Sequence, residues 1–211
     1  MRSVLHFVAS VLMVSGVLLI SDAGTTLLWQ EPVSALLTGF QQGKLEDALA
    51  DPPKRVLAKR PRAGDAIGRI ELPTLDRSYF VIEGTNKGDL RKGPGHYADT
   101  PMPGERGTVA VAGHRTTYGA PFRTIDKLKK GDPVRLEMPY GNYTYKVEGT
   151  RIVDPSEISV KRKVGFDRLI LSACHPLYSA AQRIVVFARL SKSDDRPRFR
   201  KGPKGSKGSK G

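Results

Sequence analysis

The feature that most constrains the fold of this chain is a series of short apolar runs, separated by Gly and Pro turns, that begins near Gly64. Such runs are typical of short β-strands joined by tight turns. The predicted strands are Ala66–Leu72, Tyr79–Glu83, Gly107–Ala112, Pro133–Met138, Tyr143–Val153, Arg168–Ala173 and Gln182–Leu190. Pro139-Tyr-Gly-Asn142 predicts a hairpin turn, and only Ala120–Lys130 has clear helical spacing. Seven or eight short strands with one or two short helices predict a mostly β fold, an antiparallel barrel that is closed or nearly closed.

The N-terminus carries a second strong signal, because Val4 to Ile20 is a run of 17 mostly apolar residues. That length predicts a membrane helix within residues 1–23, and Arg2 before the run with Asp22 after it predicts an internal N-terminus and an external body. The alternative is a cleaved signal peptide, with Ser21 and Ala23 as its small-residue pair. The retained anchor is favoured, since Asp22 interrupts that pair and the run is long for a signal peptide.

Composition divides the rest of the chain into three parts. Residues 24–63 are predicted to form a stalk, with helix-like spacing from Glu31 to Ala50 followed by a charged, Pro-containing linker. Residues 64–190 form the predicted barrel domain. Residues 191–211 have almost no apolar content and are predicted to be a disordered basic tail.

The formal net charge of +14 raises the question of a nucleic-acid partner. The excess, however, lies in the tail and at dispersed positions, without the interleaved aromatic residues on which bases stack. Anionic cell-surface polymers or lipid headgroups suit such a tail equally well. No nucleic-acid partner is therefore expected.

Cys174 is the only cysteine, so the chain has no intramolecular disulfide and no multi-cysteine metal site. It ends one apolar run, and Arg183 begins the next one nine residues later. Two strands joined by a short loop would place these side chains next to each other at neighbouring strand ends. A single cysteine is often only a small buried hydrophobe, and a nucleophilic role needs a base or a cation nearby.

Four histidines could supply that base. His6 lies in the N-terminal apolar run, and His175 would point to the opposite face of the strand from Cys174. His96 lies in a Gly/Pro loop with nothing to support it. His114 ends the strand-like run Thr108-Val-Ala-Val-Ala-Gly-His114, a placement like that of Cys174. A strand-end histidine, a strand-end cysteine and a strand-start arginine can converge at one rim of a barrel.

Three motifs together resemble the sortases, in particular the class E type of high-GC Gram-positive bacteria. They are Gly113-His114-Arg-Thr-Thr-Tyr118-Gly-Ala-Pro-Phe122, Leu169-Ile-Leu-Ser-Ala-Cys174-His-Pro, and Arg183. The resemblance covers about residues 64–190 and includes Leu90-Arg-Lys-Gly-Pro-Gly-His96-Tyr97. One departure is that the family's usual Thr-Leu-x-Thr-Cys is here Ile170-Leu171-Ser172-Ala173-Cys174, which lacks the hydroxyl directly before the cysteine.

The resemblance implies a cysteine transpeptidase, an enzyme of the hydrolase class. Cys174 would attack the Thr–Gly carbonyl of a sorting signal similar to Leu-Pro-x-Thr-Gly or Leu-Ala-x-Thr-Gly. His114 would act as general acid and then base, and Arg183 would hydrogen-bond the substrate backbone or the oxyanion. The resemblance also suggests substrate contacts by Ser172, Ala173 and Tyr118, although Tyr118 could equally be a packing residue.

The implied partners are surface proteins that carry the sorting signal, a cell-wall precursor or pilin lysine amine, and the membrane. The protein is expected to be a single-pass membrane protein with its catalytic domain outside the cell. No metal or other cofactor is expected, since the acidic residues near the motifs lack the spacing of a calcium loop.

Two other functions are compatible with parts of the sequence. An L,D-type cysteine transpeptidase also uses Cys, His and Arg, but its usual Ser-x-Gly-Cys signature is absent. A non-enzymatic, membrane-tethered module could bind anionic wall polymers through the basic tail. An idle thiol outside the cell would be open to oxidation, which argues against the second alternative.

Overall fold

The computed structural model of this chain describes residues 2–28 and 32–194. Eight strands close into a barrel in the order β1-β2-β3-β4-β7-β8-β6-β5, which confirms the predicted fold class. The strands are β1 Ala66–Leu72, β2 Arg77–Glu83, β3 Gly95–His96, β4 Thr108–Ala112, β5 Pro133–Met138, β6 Gly141–Val153, β7 Arg168–His175 and β8 Gln182–Asp194. The helices are α1 Arg2–Leu28, α2 Pro32–Ala50, α3 Lys54–Leu57 and α4 Lys87–Leu90.

Most neighbouring strands are antiparallel, but β2 pairs with β3 and β4 pairs with β7 in parallel. The predicted hairpin joins β5 and β6, where Met138 lies opposite Gly141 across a two-residue turn. The parallel β4–β7 pair brings the carboxyl ends of two strands to the same rim of the barrel. The predicted site residues follow those two strand ends.

The prediction of a helix over Ala120–Lys130 was wrong. Only a short 3₁₀ turn forms there, at Ile125–Lys127. Phe122 and Ile125 are fully buried in the barrel core, so their spacing reflects core packing rather than a helix. The sequence also gave no sign of β3, because two residues are too few to show a period of two.

Side chains alternate between the core and the outer surface along β7. Leu169, Leu171 and Ala173 belong to the main core of the barrel, whereas Ile170 packs in a separate cluster on the outer face. Because the period is two, Ser172 and Cys174 share the outer face with Ile170. This alternation sets which motif residues a bound chain can reach.

Helix α2 lies against the barrel, within the segment predicted to be a stalk. Its buried side chains are Ser34, Thr38, Leu45 and Leu49, and the two leucines pack with Ala66 of β1 and Ile82 of β2. The apolar residues Leu36, Leu37 and Phe40 are exposed on its other side. The stalk prediction did not anticipate this docking.

The structure also describes α1 near the N-terminus and the beginning of the predicted tail. Among the described residues, one segment, Arg2–Gly24 of α1, is long and apolar enough to cross a membrane, judged by length and composition alone. At the other end β8 continues to Asp194, four residues into the predicted disordered tail, so that prediction was wrong for residues 191–194. The remainder of the predicted tail lies outside the described residues.

Candidate active site

The barrel brings Cys174, His114 and Arg183 to one rim. Arg183 at the start of β8 lies directly opposite Cys174 near the end of β7. Ala112 of β4 is level with Ser172, and the Gly113 amide donates to the Ser172 carbonyl at 3.0 Å. His114 follows Ala112 by two residues, just beyond the end of β4 and on the rim where β7 ends at His175. Because β7 pairs with both β4 and β8, Cys174 lies between the strand ends that carry His114 and Arg183.

The backbone at His114 is fixed by Phe122. A β-carbon at Gly113 would collide with the Phe122 ring, so glycine is the residue that lets the ring pack this closely. The Phe122 amide also donates to the His114 carbonyl at 3.0 Å. Because Phe122 is anchored in the core, it holds the start of the loop that follows β4.

The His114 imidazole lies between an aromatic ring and a cation. The ring centroids of His114 and Tyr118 are 5.1 Å apart at an interplanar angle of 48°. The Arg91 guanidinium lies over the Tyr118 ring, 5.6 Å from its centroid. Burial, and secondarily the charge of Arg91, lowers the pKa of His114 below its ordinary value. The imidazole is therefore held neutral, able to accept a proton, at neutral pH.

Replacing Arg91 with glutamine is expected to raise the pKa of His114, because one of the two causes of its depression is removed. If the neutral imidazole is the active form, the acidic limb of the kcat/KM profile moves to higher pH in this variant. NMR titration of the His114 imidazole measures the shift directly. Lys92→Gln, which removes the neighbouring charge, is the matched control, and an equal shift in that variant would contradict the assignment to Arg91.

Arg183 uses part of its guanidinium to hold the β7–β8 loop. Its Nη1 donates to the carbonyls of Ala180 and Gln182, both at 3.0 Å. These bonds tie the side chain to the loop that leaves Cys174. A planar group with five donors keeps further donors for a bound chain.

Two cavities lie at this rim, one lined by Cys174 and one lined by Ser172 and Arg183. A cavity of about 290 Å³ is lined by Cys174 with Arg115, Thr116, Tyr178, Ser179 and Ala180. A second, of about 100 Å³, lies beside Ser172 and Arg183, and its apolar wall consists of Val153, Ile158, Val160, Ile170 and Val185. The β6–β7 connection forms one side of the second cavity, to which it contributes Ile158 and Val160.

Arg115 is a feature that the sequence did not single out. Its side chain is only 3% exposed, and Nη2 pairs with Asp126 at 2.9 Å. Nε and Nη2 donate to the Arg123 carbonyl, and Nη1 lies 3.3 Å from Nδ1 of His175. One guanidinium thus ties the loop after His114 to the residue after Cys174. Its position directly after His114 could have marked Arg115 as a candidate, but its burial depends on tertiary packing.

Of the other residues considered from the sequence, some lie at the rim and some are buried in the barrel. Ser172 lines the smaller cavity, and Tyr118 contacts His114. The side chain of Ala173 is 3% exposed in the barrel core, which corrects the expectation that it contacts substrate. His96 is buried in β3, with Nδ1 2.8 Å from a Glu83 carboxylate oxygen, and so holds the barrel wall.

The described residues contain no group of three or more His, Cys, Asp or Glu side chains arranged to hold a metal ion. Cys174, His114 and Arg183 bring a thiol, an imidazole and a guanidinium to the rim.

A family model described as the Sortase domain matches residues 70–191. Sortase D of Bacillus subtilis is 35% identical over 143 residues, which cover 66% of this chain and 71% of that protein. Sortase SrtE1 of Streptomyces coelicolor is 28% identical over 212 residues, covering 93% of this chain and 59% of that protein.

Solved structures give the same result. The crystal structure of sortase E1 from Streptomyces coelicolor with a tripeptide in its active site is 30% identical and superimposes with a TM-score of 0.58, covering 61% of this chain and 90% of that one. The SrtF sortase from Corynebacterium diphtheriae is 27% identical with a TM-score of 0.62, covering 68% of this chain and 93% of that one.

Proposed function

The chain belongs to the sortase family of cysteine transpeptidases, and we propose that it joins surface proteins carrying a sorting signal to an amine of the cell wall or of a pilin. The observation that supports this proposal is the placement of Cys174, His114 and Arg183 at adjoining strand ends on one rim, with one cavity lined by Cys174 and another lined by Arg183. The signal is similar to Leu-Ala-x-Thr-Gly or Leu-Pro-x-Thr-Gly and is cut between Thr and Gly.

The reaction proceeds in two acyl transfers. His114 takes the proton of the Cys174 thiol as the sulfur attacks the carbonyl carbon of the signal's Thr, and it passes that proton to the departing Gly amine as the C–N bond breaks. The product is a thioester between Cys174 and the surface protein. His114 then takes a proton from the incoming amine, which attacks the thioester carbonyl and releases the thiol. The depressed pKa keeps the resting imidazole neutral, with a free nitrogen for the proton, and favours the later step in which the imidazolium gives that proton up.

The two cavities supply separate places for donor and acceptor. The smaller cavity has an apolar wall and lies beside Ser172 and Arg183, which suits the apolar first residue of the signal with its backbone near Arg183. The larger cavity is lined by Cys174 itself and suits the leaving glycine and the incoming amine. Tyr118 stays a candidate contact for the signal's second position.

Arg183→Ala is expected to lower kcat/KM by about 10²- to 10³-fold, the loss typical of removing one oxyanion donor. Arg183→Lys should restore little of the rate, because an ammonium lacks the planar set of donors. Steady-state kinetics on a signal peptide measure both variants. Arg189→Ala, on the same strand and paired with Glu148, is the control; a loss as large as that of Arg183→Ala would count against a specific role.

We propose that α1 anchors the protein as a single-pass span with the barrel outside the cell. The arginine before the apolar run and the acidic residue after it support this orientation. The exposed apolar residues Leu36, Leu37 and Phe40 of α2 add support, since they follow the span closely and suit the membrane interface. Substrates tethered to the same membrane are concentrated near the site, which compensates for weak affinity.

The proposed organisation is an anchor over 1–23, a connecting segment over 24–63 that includes α2, a catalytic barrel over 64–190 and a basic tail. A peptide assay tests the function. The enzyme should release the glycine-side product from a Leu-Ala-x-Thr-Gly or Leu-Pro-x-Thr-Gly peptide, and faster when a nucleophilic amine is added. A chain that turns over no such peptide, yet binds anionic wall polymers through its tail, would support the non-enzymatic alternative instead.

A further inference from the structure

The barrel-facing side of α2 begins with polar residues rather than apolar ones. Ser34 and Thr38 are one helical turn apart and only 7% and 3% exposed. Buried hydroxyls are retained where they have hydrogen-bond partners. Ser34 Oγ accepts the Tyr118 amide at 3.0 Å, and Thr38 Oγ1, which donates to the Ser34 carbonyl at 2.8 Å, also lies 3.4 Å from the Arg91 carbonyl. These two hydroxyls thus reach the backbones of the two residues that surround His114.

The turn that Ser34 contacts has an unfavourable backbone conformation. Tyr118, Gly119 and Ala120 have φ values of 52°, 72° and 42°, three left-handed residues in succession. This conformation is costly for residues with a β-carbon, so neighbouring contacts must hold it. The contacts are the Ser34 bond, the Thr38 methyl against Gly119, and the Tyr79 hydroxyl, which donates to the Gly119 carbonyl at 3.3 Å.

This left-handed turn determines what surrounds the His114 imidazole. The ring of Tyr118 contacts His114, and the guanidinium of Arg91 lies over the same Tyr118 ring. A shift of the Tyr118 backbone would therefore move the ring that packs on His114. Small displacements of a catalytic group from its reactive position have large effects on rate.

We propose that Ser34 is a positioning residue for the reaction: through its bond to the Tyr118 amide, it holds the left-handed turn that orients the His114 imidazole toward Cys174. This rests on the proposed catalytic role of His114. It makes α2 a part of the catalytic unit, although the helix lies outside the residues that match the family model. Ser34 itself touches neither substrate nor reacting atoms.

The test uses the full-length protein in detergent or nanodiscs with a signal peptide. Ser34→Ala should lower kcat by roughly tenfold or more with KM little changed, because the loss lies in the orientation of His114 and not in peptide binding. Ser34→Thr, which keeps the hydroxyl, should recover most of the rate. The His114 imidazole NMR signal should shift or broaden in Ser34→Ala and return in Ser34→Thr.

Gln42→Ala is the matched control on the same helix. The Gln42 side chain bonds to the Phe80 amide at 2.6 Å, the Phe80 carbonyl at 3.1 Å and the Lys92 carbonyl at 2.8 Å, so this variant loses more docking bonds than Ser34→Ala. It should lower thermal stability while keeping kcat and the His114 signal near those of the wild type.

Two results would overturn the proposal: a wild-type kcat and unchanged His114 signal in Ser34→Ala, or an equal loss of kcat in Gln42→Ala, which would mean that α2 acts only through stability. Both results can be interpreted only if the wild-type protein turns over the peptide. If the wild-type protein has no turnover, or if His114→Gln is fully active, it is the proposed function that fails.

Discussion

Replacing Cys174 with alanine is expected to abolish both peptide cleavage and amine transfer, with a loss of at least about 10⁴-fold, because the reaction then has no nucleophile. The chain contains no second cysteine that could substitute for it. The measurement is turnover of a signal peptide followed by chromatography, with and without an added amine. Cys174 is partly exposed at the barrel rim, so the thermal unfolding midpoint should change little.

A Cys174→Ala protein that cleaves the peptide at a rate within tenfold of the wild type would contradict the proposed chemistry. Cys174→Ser adds a second check. A serine hydroxyl is much harder to deprotonate than a cysteine thiol, so His114 would activate it poorly and this variant should be almost as inactive as alanine.

His114→Gln is expected to lower kcat by about 10²- to 10⁴-fold, the range typical of losing a general acid–base. Glutamine has similar volume and can keep hydrogen bonds, so packing against Tyr118 should be nearly preserved. His175→Gln is the matched control, because His175 is adjacent to Cys174 in sequence yet contacts Arg115. Steady-state kinetics on one peptide compare the two variants. A larger loss of kcat in His175→Gln than in His114→Gln would show that His114 is not the general base.

Most strands of the barrel could be predicted because each has alternating or apolar runs between Gly and Pro turns. β1 and β5 have the predicted bounds, and the β5–β6 hairpin follows from its turn residues. β3 could not be predicted, since its two residues owe their conformation to pairing with strands distant in sequence. The same holds for the parallel β4–β7 pair, on which the site depends.

Apolar spacing misled in two places for different physical reasons. Phe122 and Ile125 lie in an irregular segment that packs along the barrel core. Their side chains are buried there, so their separation in sequence does not reflect a helical period. In α2 the predicted helix forms, but only some of its apolar residues face the barrel. The apolar Leu36 and Phe40 are exposed, while the polar Ser34 and Thr38 face the barrel. Burial there follows hydrogen bonding to the turn after His114, which no local pattern reveals.

The three candidate catalytic residues could be predicted from the sequence, but the contacts that surround them could not. Strand-end positions and motif spacing were enough to bring Cys174, His114 and Arg183 together as candidates. The inward orientation of Ala173 follows from the register of β7, and the bonds of Arg115 follow from a loop closed by tertiary contacts. Neither property can be read without the pairing of the strands.

The central claim is that Cys174 forms a thioester with the signal's Thr, and mass spectrometry of the intact protein tests it most directly. After incubation with a signal peptide and rapid acid quenching, the wild-type mass should increase by that of the peptide ending in Thr less one water, and proteolysis should locate the adduct on Cys174. Ser34→Ala and Arg183→Ala should accumulate it more slowly, and Cys174→Ala not at all. Release of the glycine-side product without any adduct, or an adduct that persists in Cys174→Ala, would contradict the account.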